Sequence, residues 1–289
     1  MKQCIDSILG QPYEHLELVI SDNASSDATR DICEKYAGKD KRVRYYRNER
    51  NIGGSRNHNR VFELSLGTYF AWIGHDDWRD HRFIERTVAA LEARPDAVAA
   101  CPRVVYVGSD GVRLTNVKNV RLDLDGMSPA ARFAEAIRLD HLCQENYGLL
   151  RTETLRRTAL ERQFPDSDRV LAGELALYGP MLRLDEELIY RRWHSKSSIG
   201  QFPSRYDRMR WVNPWSGSSG QLALPYWREW LELLLVVQRT KLSLYDKWLA
   251  HIEAIRWGWK QRRRLWSDLL GWPVRASYLI YKRHRHPPE

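Results

Sequence analysis

Two adjacent carboxylates, Asp76 and Asp77, stand after an apolar, aromatic run and a glycine: Tyr69-Phe70-Ala71-Trp72-Ile73-Gly74-His75-Asp76-Asp77. The run reads as a buried strand over 69–73 whose carboxyl end opens into polar residues. In open α/β sheets, ligands bind outside the carboxyl ends of the strands. Paired carboxylates placed there repel each other unless a cation joins them, and hard oxygen ligands beside a diphosphate suit Mg²⁺ or Mn²⁺. The same residues also fit a plain turn, with Asp77 or Asp80 capping the helix that follows. Asp22 is a second candidate. It follows a strand at 16–20 directly, where a carboxylate can accept from a base N–H or from ribose hydroxyls. Gly53 and Gly54 permit positive φ and close backbone approach, or mark an ordinary turn ahead of a helix.

The elements that must carry these residues alternate. After a helix over 2–10, the strand at 16–20, a polar loop and a helix over 27–37 make one βα unit of a doubly wound sheet. A strand at 43–46, the glycine loop and a helix to about 66 make the next. The strand at 69–73, a helix over 80–93 and a strand over 98–107 follow. Residues 115–128 read as a flap and 129–139 as a helix. Short elements at 146–150 and 152–158 precede a helix opened by Phe164-Pro165-Asp166-Ser167-Asp168. Strands at 181–184 and 188–192 lead to a polar loop that begins at His194.

The 289 residues suffice for one large domain with an appendage. The net charge of +9 is uneven: residues 211–289 hold 13 Lys/Arg against 6 Asp/Glu, and nine of the twelve Trp. A basic, Trp-rich end suggests a polyanionic surface. Nucleic acid is not expected as the partner, since the charge sits in one segment and no recognition module is present. Cys4, Cys33, Cys101 and Cys143 form no close pair, which fits a reducing compartment and excludes a disulfide framework or zinc site. Met1 is followed by polar residues, not by the apolar core of a signal peptide. A cytoplasmic location is the expectation.

The motifs ELVISDNASSDAT, RNERNIGGSRNHN and GTYFAWIGHDDW occur in that order. Their combination resembles the family 2 glycosyltransferases of the GT-A fold, over roughly residues 2–199. The resemblance implies a nucleotide-sugar donor, with Asp22, Asn51 and His75 on the nucleotide. It implies a metal held by Asp76 and Asp77, although Gly74 replaces the first Asp of the usual D-x-D. It implies Asp168 as the general base of an inverting displacement; Asp168, Asp166 or Ser167 could alternatively cap the helix. Arg191, Arg192 and His194 match a late basic loop near the diphosphate, or a surface charge cluster. The acceptor class would be a glycan or a lipid-linked saccharide.

One departure stands against this. The family begins with a central strand about one helix-length before SILGQPYEHLELVI, where this chain has no residues. Its neighbours would then lack ladder partners, leaving buried backbone groups unpaired. The expectation is a start upstream of Met1 or a crippled product. The rival readings are an inactive glycosyltransferase-like binding module and, within the same fold, a nucleotidyltransferase.

The domain expectation is a glycosyltransferase unit over 1–199, a Gly/Ser/Pro-rich linker over 200–224 and a basic helical appendage over 225–289, with helices at 225–239, 243–270 and 273–283. Its Trp and Leu positions either pack back onto the enzyme or lie on an anionic membrane surface at the cytoplasmic face, with Arg and Lys on the headgroups.

Overall fold

A computed structural model of the chain describes residues 1–115, 117, 121–138, 143–194, 202, 204–214 and 224–270. The amino-terminal layer contains α1 (Lys2–Leu9), β1 (Leu18–Asp22), α2 (Thr29–Ala37), β2 (Val43–Arg47) and α3 (Gly54–Glu63). β1 and β2 run parallel, from Leu18 opposite Val43 to Asp22 opposite Arg47. Ile5 and Ile8, one helical turn apart on α1, pack on Leu18 and Val43.

A mixed five-stranded sheet carries the rest: β3 (Tyr69–Phe70), β4 (Trp78–Arg79), β5 (Ala99–Val107), β6 (Leu149–Arg151) and β7 (Met181–Arg192), in the order β3-β6-β5-β7-β4. β5 and β7 are parallel and the other pairs antiparallel. The register slips on both sides of Arg103, first across Pro102, which has no N–H to give the ladder. Alternate residues of β5 serve two layers. Ala100 and Val104 meet Phe83 and Leu91 of α4 (Phe83–Ala93), whereas Ala99 lies with Leu171 and Leu175, which belong to a helix after β6.

Two strand expectations change. The strand expected over 69–73 keeps a ladder at Tyr69 and Phe70 alone, since β6 offers only two partners to it. The strands expected at 181–184 and 188–192 are one, β7, held along its length by β5. β1 and β3 belong to different sheets. A cavity of about 1440 Å³ runs along both, its wall including Leu18, Ile20, Phe70 and Ile73.

The helices that close the fold are α5 (Pro129–Ala136), α6 (Thr152–Arg156), α7 (Ser167–Tyr178), α8 (Arg205–Val212), α9 (Pro225–Arg239), α10 (Leu244–Lys260) and α11 (Arg262–Leu270). α8 corrects the linker expected over 200–224. Ser204 caps it, accepting from the Asp207 amide at 3.1 Å, and this Ser-x-x-Asp signature outweighs the Gly/Ser/Pro composition around it. The helix expected over 243–270 is two, turned at Gln261. The turn lets α11 fold back, so that Asp268 accepts from the amides of Tyr226 and Trp227 at 2.8 and 3.3 Å and closes the open start of α9. The helix expected at 273–283 lies outside the described residues.

α9 and α10 pack onto α5 and α7. Leu233, Val236, Ala250 and Trp257 share one core with Phe133 and Val170. Trp257 donates to the Ile137 carbonyl at 2.8 Å, and Arg239 holds Glu174 of α7 through two bonds of 2.7 and 2.8 Å. The opposite face of α10 and α11 stays exposed: Tyr245, Trp248, Ile255, Trp259 and Trp266. No helix among the described residues is long and apolar enough to cross a membrane.

Candidate active site

The cavity along β1 and β3 gathers Asp22, Asn51, His75, Asp168, Arg191 and Arg192 on its lining. Asp22 ends β1, and its carboxylate is already well held. Ser25 N donates to it at 2.8 Å, the Tyr45 hydroxyl at 2.8 Å and Arg47 at 2.6 Å. Burial opposes its charge, but the Ser25 and Tyr45 bonds and the Arg47 guanidinium more than offset that, holding the carboxyl below its ordinary range.

An asparagine network ties this strand end to the glycine loop. The Asn51 carbonyl oxygen accepts from Asn23 Nδ2 and Gly53 N at 2.9 and 2.8 Å. Asn57 bonds the hydroxyl and carbonyl of Ser21 at 2.7 and 3.0 Å. Gly53 has φ 89°. A β-carbon there would stand 2.5 Å from the Val212 carbonyl, so this glycine both makes the turn and admits α8. Asn23, Tyr45, Arg47 and Asn57 escape sequence reading because their importance lies in partners on another loop. The repeated Asn in the two motifs was the available signal.

The carboxylates after β3 separate in role. Asp77 is buried and turned toward β7, accepting from the Arg192 amide at 2.9 Å, with Arg191 Nε 3.5 Å away. Burial pushes its carboxyl up, with Arg191 opposing. Asp76 instead meets His194 Nε2 at 2.7 Å. Burial would raise its carboxyl, but the His194 bond and the nearby His75 bring it below the ordinary value. His75 itself is exposed, 4.0 Å from Asp76. Both carboxylates crowd Gly74: a β-carbon there would lie 2.9 Å from Asp77 Oδ2 and 3.2 Å from Asp76 Oδ1.

Among the described residues no group of three or more His, Cys, Asp and Glu is placed to hold a metal. The donors fit a divalent ion that takes Asp76 and His194 from the protein and completes its shell with phosphate oxygens and water. They fit the expected Asp76–Asp77 pair less well, since Asp77 is engaged by β7.

Of the two arginines, Arg191 lies with its guanidinium 4.0 Å above the Tyr147 ring and lines the cavity. Arg192 is used up by the protein. It donates to the carbonyls of Asp76, Gly108 and Ser109 and to Gln3 at 3.4, 3.2, 2.9 and 3.0 Å. Both arginines expected at the diphosphate line the cavity, and Arg192 has the more bonds within the protein.

Asp168 occupies the first turn of α7, its carboxylate accepting from the Arg169 amide at 2.9 Å. The N-cap position belongs to Asp166, which has φ 65° and makes no capping bond. Asp166 pairs instead with Arg205 of α8, as does the buried Glu229 of α9, at 2.6 Å from Arg205. Asp168 is thus not the N-cap, and one of its oxygens is engaged by the first-turn amide. Burial first, then Asp166 and Glu161, raise its carboxyl to about 6, a value suited to accepting a proton near neutral pH.

The model of the glycosyl transferase family 2 matches residues 1–156, more than half of the chain. The chain belongs to glycosyl transferase family 2. Among curated relatives of this family, the glycosyltransferase GlyA of Streptococcus pneumoniae is 32% identical over 85 residues, 29% of this chain and 12% of GlyA. The putative teichuronic acid biosynthesis glycosyltransferase TuaG of Bacillus subtilis is 34% identical over 93 residues, 32% of this chain and 37% of TuaG. The chain therefore matches only a minor part of these relatives' lengths. The S. aureus TarS 1–349 structure in complex with UDP-GlcNAc superposes with a TM-score of 0.61 at 15% identity, covering 93% of this chain and 75% of that one. That likeness shows the GT-A-like fold, and the family places the chain in the glycosyltransferase class.

Proposed function

We propose that this chain transfers a sugar from a nucleoside-diphosphate-sugar to a hydroxyl of a glycan or lipid-linked acceptor, with inversion. The observation that carries this is Asp168, a carboxylate of raised basicity that is not the helix N-cap and shares one cavity with Asp22, Asn51 and Arg191. Asp168 takes the proton of the acceptor hydroxyl. The hydroxyl oxygen then bonds the anomeric carbon, and the bond from that carbon to the diphosphate oxygen breaks, its electron pair leaving with the diphosphate. Asp22, Asn51 and His75 receive the nucleoside, and Arg191 faces the diphosphate with its fork of donors.

Asp76 and His194 would hold Mg²⁺ or Mn²⁺ beside it, with Asp77 keeping that turn against β7. A divalent ion there supplies neutralisation of the departing charge. UDP-GlcNAc, the ligand of the TarS structure, is the first donor to try. The test pairs calorimetric binding of UDP in Mn²⁺ with donor turnover by the full chain and by Asp168→Asn. Loss of turnover by about 10²–10⁴-fold with unchanged UDP affinity is expected, the usual contribution of a general base. Equal turnover in the two proteins removes Asp168 from this role.

A second proposal concerns the surface of the appendage. Tyr245, Trp248, Ile255 and Trp259 recur every three to seven residues on α10 and remain exposed, beside Lys247 and Arg262–264. This is the pattern of a helix lying in a membrane interface, Trp rings at headgroup level and cations on anionic lipid. We infer a docking face for the cytoplasmic surface of a membrane, consistent with a lipid-linked acceptor. The full chain should float with phosphatidylglycerol vesicles at low salt and less at high salt. A double change Trp248→Ser, Trp259→Ser should abolish flotation; a variant that floats like the parent overturns the assignment.

A further inference from the structure

Beside the residues already given a role, one carboxyl group is held in the cavity with unusual care. Glu161 lies in the turn before α7, where no regular element fixes it. Asn59 of α3 clamps its backbone from both sides: Asn59 Nδ2 donates to the Glu161 carbonyl at 2.8 Å, and the Glu161 amide donates to Asn59 Oδ1 at 3.1 Å. The preceding Leu160 has φ 54°, a left-handed conformation that a leucine adopts only when its surroundings impose it. Two residues earlier, the Ala159 amide is tied to Glu174 at 3.1 Å. A strained turn fixed at both ends thus aims one side chain.

That side chain meets His58, whose Nδ1 is 3.3 Å from the Glu161 carboxylate. The imidazole is itself immobilised. It stacks on Trp72 with ring centres 4.4 Å apart and planes 11° apart, and Trp72 Nε1 donates to the His58 carbonyl at 2.9 Å. His58 Nδ1 is buried and makes no hydrogen bond among the described residues. Glu161, His58 and Asp168 all line the cavity. Among the described residues the Glu161 carboxylate has no polar contact beyond its 3.3 Å approach to His58, so a hydroxyl arriving there would find both an acceptor and a ring nitrogen prepared for it.

We propose that Glu161, seated on His58, forms a hydroxyl-binding subsite on the acceptor side of the cavity and is a positioning residue that holds the incoming hydroxyl toward Asp168. This rests on the glycosyl-transfer reading above. The groups facing Glu161 are His58 from α3, Asp168 from α7 and Tyr147 from the turn before β6. Burial pushes the Glu161 carboxyl up to about 7 and His58 down to about 4, so between those values the pair is largely uncharged and able to donate as well as accept. Each ionisation of Glu161 also raises Asp168, so the two carboxyl groups titrate as a linked pair.

The test uses the full chain, UDP-GlcNAc as donor, and glycerol as a hydroxyl-bearing probe competing with water. Glu161→Ala should lower the ratio of glyceryl glycoside to free sugar at least tenfold, with donor KM within about twofold. Glu161→Gln, which keeps the shape and the hydrogen-bonding groups, should restore most of the ratio. It should also remove the inflection near pH 7 from the rate profile, because Asp168 is then the one member of the pair left to titrate. An unchanged product ratio in Glu161→Ala, or an inflection near pH 7 that persists in Glu161→Gln, overturns the proposal. Should the parent chain turn over no donor at all, the transferase reading fails separately. Carboxyl ¹³C titration of Asp168 then decides this one: a parent with no second inflection near pH 7, or an inflection that persists in Glu161→Gln, refutes it.

Discussion

The two walls of the cavity are built on opposite principles. On the wall formed by β1 and the glycine loop, Asp22 is saturated by Ser25, Tyr45 and Arg47, and Asn23, Asn51 and Asn57 close a continuous network. On the wall formed by α3 and α7, Asp168 and Glu161 are half-buried with few donors, and His58 Nδ1 has none among the described residues. The first wall is a rigid receptor whose polar groups contribute to stability. The second is held under electrostatic stress, because carboxylates without donors are destabilising when charged. Binding favours the former arrangement and proton transfer the latter, since a group satisfied by its own protein is a poor base.

This difference can be broken by single substitutions. The largest effect is expected at the receptor wall. Asp22→Ala leaves the Tyr45 hydroxyl and the Arg47 guanidinium without their partner and should cost about 3 kcal/mol of stability, along with UDP binding. Urea melts at pH 7 read the first, calorimetry the second. A variant as stable as the parent would mean that Asp22 is no keystone of that wall.

Asp168→Asn should do the reverse. Its carboxyl is raised from 3.8 to about 6 in the folded chain. The folded state therefore holds the proton more tightly, and that contribution is full below about 3.8 and lost as pH rises through about 6. The variant should gain on the parent as pH rises, by on the order of 1–3 kcal/mol at pH 8. A helix cap would lose stability at every pH instead. Glu161→Gln should show the same sign in a higher window, the gain growing between 4.5 and about 7.

Asp22 slopes the other way. Its lowered carboxyl stabilises the fold above 3.8, and that stabilisation is lost as pH falls through its folded value. Acid should therefore loosen the receptor wall and alkali the reactive one, an order that hydrogen exchange at Asn51–Gly53 and at α7 would resolve. The smallest effect belongs to Asn51→Ala, which removes one acceptor from a network of several and should cost about 1 kcal/mol. UDP affinity should fall about tenfold, the effect of one lost hydrogen bond to the nucleoside, and an unchanged affinity would remove Asn51 from that role.

Much of the architecture was legible because it depends on local periodicity. The strand ahead of Asp22, the turn at Gly53, and the start of α7 at Asp168 are set by neighbours within a few residues. Even α8, read as linker, carried its own mark in Ser204 and Asp207. What misled there was composition, which averages over a window and hides a cap. The split of the long tail helix at Gln261 had no local signal of that kind. It is fixed by Asp268 reaching the open amides of α9, 42 residues away.

The sequence by itself determined which residue types stand at strand ends and helix starts, and its three ordered motifs carried the resemblance that implies the GT-A fold. The pairing of the site carboxylates was decided only in three dimensions. Asp76 and Asp77 are adjacent in the chain, yet one turns to His194 and the other to Arg192, because the backbone turn at Gly74 sets one side chain against the end of β7 and the other against the residues that follow it. Glu161 and Asn59 are 102 residues apart, and their contact exists only once α3 and the turn before α7 are brought together. Local pattern is written in short-range sterics and hydrophobic spacing. Charge environment is a sum over everything that folding brings near, so the basicity of Asp168 belongs to the tertiary structure alone.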